Sequence, residues 1–119
     1  MDLTKRKCVP CEGGIPPLTK KKVAEYMKQI PEGWELIIRD KIPRIKKRFK
    51  FKNFKEAMQF VGKVAKLAEK QGHHPNIFIY YNKVDLEFYT HAIHGLHDND
   101  FIMAAKVDSK PNTLKLSFL

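Results

Sequence analysis

Long apolar runs are missing from this chain of 119 residues. No stretch approaches the roughly 20 residues that cross a bilayer as a helix, and the start, Met1-Asp2-Leu3-Thr4-Lys5-Arg6-Lys7, carries no apolar segment behind its charges. Neither a membrane span nor a secretory leader is expected, and the sequence reads as a soluble, cytoplasmic protein without a membrane partner. Cysteine is scarce: the two present form the single pair Cys8-Val9-Pro10-Cys11. In a reducing compartment such a pair points to metal or redox use more than to a structural disulfide. A structural zinc site needs four ligands, however, so a histidine or a second copy of the chain would have to supply the rest. Acidic residues are in deficit, 13 against 23 Lys and Arg, for a net charge of +10. That surplus attracts anions such as phosphates or nucleic acid, although lysine-rich surfaces also simply keep proteins soluble. Internal repeats and low-complexity tracts are absent as well.

What is present suits one small domain, because a hydrophobic content of 43% is enough to form a core without covalent staples. Residues 1–17, ending in Glu12-Gly13-Gly14-Ile15-Pro16-Pro17, show little apolar periodicity and read as an irregular arm. A single domain is expected over 18–119. Thr19 can cap a helix with apolar positions Val23, Tyr26, Met27 and Ile30, which Pro31 to Gly33 ends. Trp34 to Ile38 then leads through Asp40 to Pro43 into Arg44 to Lys52. In that second strand Ile45, Phe49 and Phe51 share one parity, while Arg44, Lys46, Arg48, Lys50 and Lys52 share the other.

Asn53, with Glu56 three residues on, opens a helix whose stripe Phe54, Ala57, Met58, Val61, Val64, Ala65 and Ala68 runs to about Lys70. Phe60 and Leu67 widen the stripe, which suggests a second buried face against another copy and hence a homodimer or homotetramer. Gly72 terminates the helix. Ile77 to Tyr81 and Val84 to Thr90 read as strands joined by Asn82-Lys83, and Leu96 to Val107 as a last helix. The order helix, two strands, helix, two strands, helix predicts an α+β fold, a four-stranded antiparallel sheet with helices packed on one face.

Three of the five histidines, His73, His74 and His91, fall around the second hairpin beside the carboxylates Glu69 and Asp100. Imidazoles exchange protons near neutral pH, so this grouping points to acid/base chemistry. If Asn82-Lys83 is the loop, Tyr81 pairs with Val84 and Ile77 with Phe88, and the extrapolated register sets His74 opposite His91. Glu69 is either a solvated helix residue or a partner of an imidazole. Asp100, three residues after His97, either caps a helix or orients His91, and both roles can coexist. His91, His94 and His97 recur every three residues, but they straddle a strand end and the Gly95 turn, so no metal site is expected from them. The cations of Arg44 to Lys52 resemble a nucleic-acid footprint without interleaved aromatics or a base-reading motif, so no specific nucleic-acid partner is expected.

The pattern Glu69-x3-His73-His74-Pro75, Tyr81-Asn82-Lys83-Val84, Thr90-His91, Gly95-Leu96 and Asp100 closely resembles the pterin-4a-carbinolamine dehydratase family. Gly33-Trp34 and Phe49-x-Phe51-x2-Phe54-x2-Ala57 extend the resemblance over about residues 18–107. It implies a hydro-lyase that removes water from 4a-hydroxytetrahydropterin, giving quinonoid dihydropterin without a cofactor or metal, in tetrahydrobiopterin recycling. His73, His74 and His91 match the family's active-site histidines, and Glu69 and Asp100 its supporting acids. Pro75 and Thr90, with Ala92 and Ile93 beside them, match its pterin contacts. The arm Cys8-x2-Cys11-x-Gly13-Gly14 is similar to an amino-terminal extension of many bacterial members. Gly72 stands where some members carry an acid, and Ile77 where some carry Trp. Family members also act as dimerisation cofactors of transcription factors or as assembly factors, and a pterin of molybdenum-cofactor metabolism is an alternative substrate.

Overall fold

Side-chain caps fix the helix boundaries in the structure, a computed structural model that describes residues 2–109. The tail 110–119, counted above in the expected domain, lies outside the described residues. Helix α1 (Lys20–Met27) begins where Thr19 Oγ1 accepts the Lys22 N–H at 3.2 Å. Helix α2 (Phe54–Gln71) begins where Asn53 Oδ1 accepts the Glu56 N–H at 2.9 Å, and it ends at Gly72 with φ of 68°. A left-handed residue after the last turn is costly for any side chain with a Cβ, which is why glycine closes the helix. Between and after these helices run β1 (Glu35–Arg39), β2 (Ile42–Lys50), β3 (Asn76–Tyr80) and β4 (Lys83–Phe88), followed by α3 (Asp98–Ser109). The strands form one antiparallel sheet in the order β1-β2-β4-β3. This is the expected α+β architecture. No helix among the described residues is long and apolar enough to cross a membrane.

Alternation separates the two faces of the sheet. Ile45, Phe49, Val84, Leu86 and Phe88 are buried against Ala57, Phe60, Val64 and Ala68 of α2 and against α3. Phe60 is fully buried, its ring centroid 4.7 Å from Phe49 and 5.0 Å from Phe51, and Leu67 packs partly buried on the same core. Although Phe54 and Met58 on the same helix stay 49% and 38% exposed, Phe60 therefore serves this chain's own core and not a second copy. The reason is that α2 has two neighbours, the sheet and α3, and needs a broad apolar surface to meet both.

The other face carries the cations, and the register brings acids under them: Lys46 pairs with Glu87 and Arg48 with Asp85. Arg48 Nε donates to Asp85 Oδ1 at 2.7 Å, and Lys46 Nζ lies 3.4 Å from Asp85 Oδ2. Glu87 accepts from Arg44 Nη1 at 3.0 Å, from Asn76 Nδ2 at 3.0 Å and from Arg39. The hydrogen bond from Arg48 holds Asp85 below the usual carboxylate range against its burial. Burial pushes Glu87 up, but Asn76, Arg44 and Arg39 outweigh it and the net direction is down. The basic run is thus to a large extent an internally neutralised ion-pair layer.

The arm is irregular apart from one 3₁₀ turn at Leu3–Lys5, yet it is packed. Leu3 is buried in the core, Lys106 Nζ donates to the Thr4 carbonyl at 2.8 Å, and Arg6 donates to Asp98 at 3.0 Å and to the Tyr26 hydroxyl at 3.2 Å. Residues Phe101 to Ala105 of α3 are buried all round, as a helix with neighbours on every side must be. The arm supplies part of that cover, so the packed unit extends back past Leu18. Cys8 and Cys11 are unpaired thiols, and burial, reinforced by nearby Asp100, pushes Cys8 up to about 11.

Candidate active site

The left-handed turn at Gly72 releases His73 and His74 in succession between the end of α2 and the start of β3. At the far end of β4 the chain folds back, with the Thr90 N–H donating to the Gly95 carbonyl at 2.8 Å around a 3₁₀ turn at His91–Ile93. The first turn of α3 lies beside both. Three short segments, distant in sequence, therefore meet at the open end of the β3–β4 hairpin.

The hairpin register differs from the expectation. Tyr80 pairs with Lys83 and Ile77 with Leu86, so the two-residue loop is Tyr81-Asn82, with Tyr81 at φ of 51°. A shift of two leaves every side chain on its predicted face, but continuing it sets His74 opposite Tyr89 and His73 opposite Thr90. The predicted facing of His74 and His91 is not realised.

His73 is the inward member of the pair, its side chain 11% exposed and its ring stacked on Phe88 with centroids 6.3 Å apart. Its Nε2–H donates to Asp100 Oδ1 at 2.6 Å, because a carboxylate can only accept. Asp100 is fully buried and also accepts the Thr90 hydroxyl and the His97 N–H, each at 2.9 Å on Oδ2. His97 Nδ1 in turn accepts the Asn99 N–H at 2.9 Å. The pair His97 and Asp100 is a reciprocal cap on α3. Asp100 is thus both cap and imidazole partner, but the imidazole is His73 and not His91. The correction follows from packing: α3 lies against β4 and α2, so its first turn faces the α2–β3 junction that carries His73.

His74 is exposed and hydrogen-bonded to Glu69, which stands on the last turn of α2. His91 is exposed beside Tyr89 and His94, ring centroids 6.3 and 5.6 Å away, and meets no carboxylate among the described residues. The ring of His97 is engaged in the α3 cap, so the triplet His91, His94 and His97 does not converge. Among the described residues no three His, Cys, Asp or Glu side chains are placed to hold a metal ion.

An open cleft of about 380 Å³ joins these groups, lined by His73, His74, Thr90, His91 and Ala92 of the expected residues. Ile93, buried, and Pro75, half-buried, do not line it, nor do Glu69 and Asp100, which hold His74 and His73 from outside the lining. Sequence reasoning missed five others that do: Val9, Cys11, Gly72, Tyr89 and Asn99. Nothing in the arm's composition announced its place at the cleft. Tyr89 and Asn99 were legible only as neighbours of Thr90 and Asp100.

An α+β sandwich with imidazoles around one cleft and carboxylates holding two of them is a scaffold for moving protons on a bound small molecule. The family model described as pterin 4 alpha carbinolamine dehydratase matches residues 16–110. A protein of Chlorobium luteolum named for the pterin-4-alpha-carbinolamine dehydratases is 48% identical over 107 residues, covering 90% of this chain and 93% of that one. Among solved structures, a transcriptional coactivator/pterin dehydratase from Brucella melitensis is 35% identical with a TM-score of 0.70, over 78% of this chain and 96% of that one. A pterin dehydratase-like protein identified as a RuBisCO assembly factor in the alpha-carboxysome is 25% identical with a TM-score of 0.55, over 66% and 88%. This chain belongs to the pterin-4a-carbinolamine dehydratase family.

Proposed function

We propose that this chain is a cytoplasmic 4a-hydroxytetrahydropterin dehydratase that yields quinonoid dihydropterin and water, in the recycling of tetrahydrobiopterin-type cofactors. The observation that supports it is the set of three imidazoles, His73, His74 and His91, around one cleft in a chain of this family. In the elimination a base takes the proton from a ring nitrogen. The electron pair left behind forms the double bond to C4a as the C4a–O bond breaks, and an acid protonates the hydroxyl so that it leaves as water. One proton is taken and one is given, and no electron is gained or lost.

His73 suits the base. Its Nε2–H is fixed on Asp100, which leaves Nδ1 with its lone pair, and the buried carboxylate balances the charge the ring gains. Glu69 holds His74 in the same way at a more exposed position. His91, with no carboxylate partner among the described residues, suits the acid that follows the leaving hydroxyl. Each positioned imidazole is worth roughly 10² to 10⁴-fold. Thr90 and Ala92 line the cleft as pterin contacts, with Pro75 and Ile93 next to them.

We extend the proposal to a homodimer or homotetramer, supported by the edge strand β1, where Leu36 is 50% and Ile38 is 73% exposed. A second reading, a protein-binding module, draws on the descriptions of the Brucella and carboxysome proteins. One assay separates the two. Purified chain, treated with a chelator, should accelerate the decay of synthetic 4a-hydroxytetrahydropterin. No acceleration would favour the binding module, and activity lost on chelation but restored by zinc would contradict the proton-transfer scheme. Offering a molybdenum-cofactor pterin alongside tests the alternative substrate.

A further inference from the structure

The imidazoles and carboxylates of the proposed reaction leave one wall of the cleft without a role. Val9 and Cys11 line the cleft with His73, His74 and His91, although residues 1–15 fall outside the segment matched by the family model. This part of the arm is anchored at both ends. Asn99, 2% exposed, grips the backbone of Val9: its Oδ1 accepts the Val9 N–H at 3.0 Å, and its Nδ2 donates to the Val9 carbonyl at 2.6 Å. One residue earlier, the Cys8 N–H donates to Gln71 Oε1 at 3.0 Å, at the last position of α2. Past Cys11 the chain comes down on Ala92. There Gly13 has φ of 97°, and a side chain in its place would meet the Ala92 carbonyl oxygen at 3.4 Å.

Residues 9–13 therefore bridge from the first turn of α3 to the loop after β4, along the edge of the cleft. Asn99 is the immediate neighbour of Asp100, so a single helical turn holds both the arm and His73. The bridge presents an apolar side chain that is 55% exposed, Val9, and a thiol, Cys11. An apolar edge facing a cleft with convergent polar groups is the composition of a ligand wall for a flat ring.

We infer that residues 9–11 form a binding wall for the pterin ring, and that Asn99 is the positioning residue that holds this wall in place. The identity of the ligand rests on the dehydratase reading above. The test uses Cys8→Ser, which leaves Cys11 as the only thiol of the full chain, and an oxidised pterin as probe, with its binding followed separately by its own fluorescence. Saturating pterin should slow alkylation of Cys11 by iodoacetamide about fivefold or more, since a thiol reacts only where it is accessible. In the dehydratase assay Asn99→Ala should raise KM about tenfold with kcat changed less than about threefold. Asn99→Asp keeps the acceptor for the Val9 N–H and should recover part of that loss. Pterin that binds without protecting Cys11 overturns the wall and leaves the dehydratase reading standing. Pterin that does not bind at all overturns both. An Asn99→Ala chain with lowered kcat and unchanged KM overturns the positioning role, because Asn99 would then act through Asp100 and not through the arm.

Discussion

Asp100→Asn removes one charge and almost no volume from the buried centre of the site. Three donors converge on the two oxygens of Asp100: His73 Nε2 on one, the Thr90 hydroxyl and the His97 N–H on the other. An amide offers one oxygen and one NH₂ group. If the oxygen stays with Thr90 and His97, the NH₂ faces His73 and can donate only after the ring moves its proton to Nδ1. The ring nitrogen left for the substrate then carries a proton and can no longer act as a base. Two of the three hydrogen bonds survive and the third is remade as a neutral one to the shifted tautomer, so the cost in stability is about 1–2 kcal/mol, roughly 4–8 °C in Tm for each kcal/mol. The cost in turnover is far larger, about 10²-fold. Asp100→Ala, by contrast, loses the cap, about 0.5–2 kcal/mol, and leaves the buried Thr90 hydroxyl unpaired, roughly 1–3 kcal/mol more. Denaturant melts and the dehydratase assay on both variants check the pair of effects. An Asn variant with wild-type turnover across about pH 5 to 9 would refute the reasoning and leave Asp100 as a helix cap.

Acid should weaken the fold through the ion-pair layer. Asp85 and Glu87 are held below their ordinary values of 3.8 and 4.5, so the unfolded chain takes up protons there that the folded chain refuses. Their contribution is complete above those ordinary values and is lost as pH falls through the lower folded ones. Urea midpoints at about pH 7 and pH 3 should show the loss, reduced in Glu87→Gln; an equal loss in that variant would contradict the assignment. Phe60→Ala should destabilise each chain by about 3–5 kcal/mol as a core cavity. Ile38→Lys, on the exposed edge of β1, should change chain stability by less than about 0.5 kcal/mol and yet lower the mass seen in light scattering. An unchanged mass would sink the edge-strand interface.

Local signals carried the fold a long way. Thr19 and Asn53 start their helices and Gly72 ends one, as expected, because a cap is a contact between near neighbours, and strand parity separated the core face from the charged face for the same reason. What failed were choices among partners distant in sequence. The turn at Tyr81-Asn82 puts a tyrosine at positive φ, where Asn82 was the more natural candidate, and that displaced the predicted pairing of His74. Phe60 went to the core and not to a second copy, since the position of α3 against α2 cannot be read from the stripe of α2 alone. The partner of Asp100 and the seat of the arm on Asn99 have the same cause: both depend on where α3 packs. The residues that gather at the cleft were legible through the histidine pattern; how they are wired together was not.

The central claim is that three imidazoles at one cleft share the proton transfers of a pterin dehydration. The most direct measurement is the single-turnover decay of 4a-hydroxytetrahydropterin on wild type, His73→Ala, His74→Ala, His91→Ala and, as a histidine outside the cleft lining, His94→Asn. The account predicts that each of the three cleft variants loses about 10²-fold or more, while His94→Asn stays within about twofold. Cleft variants that all decay the substrate within about twofold of wild type, or a wild type that does not accelerate the decay, would contradict it.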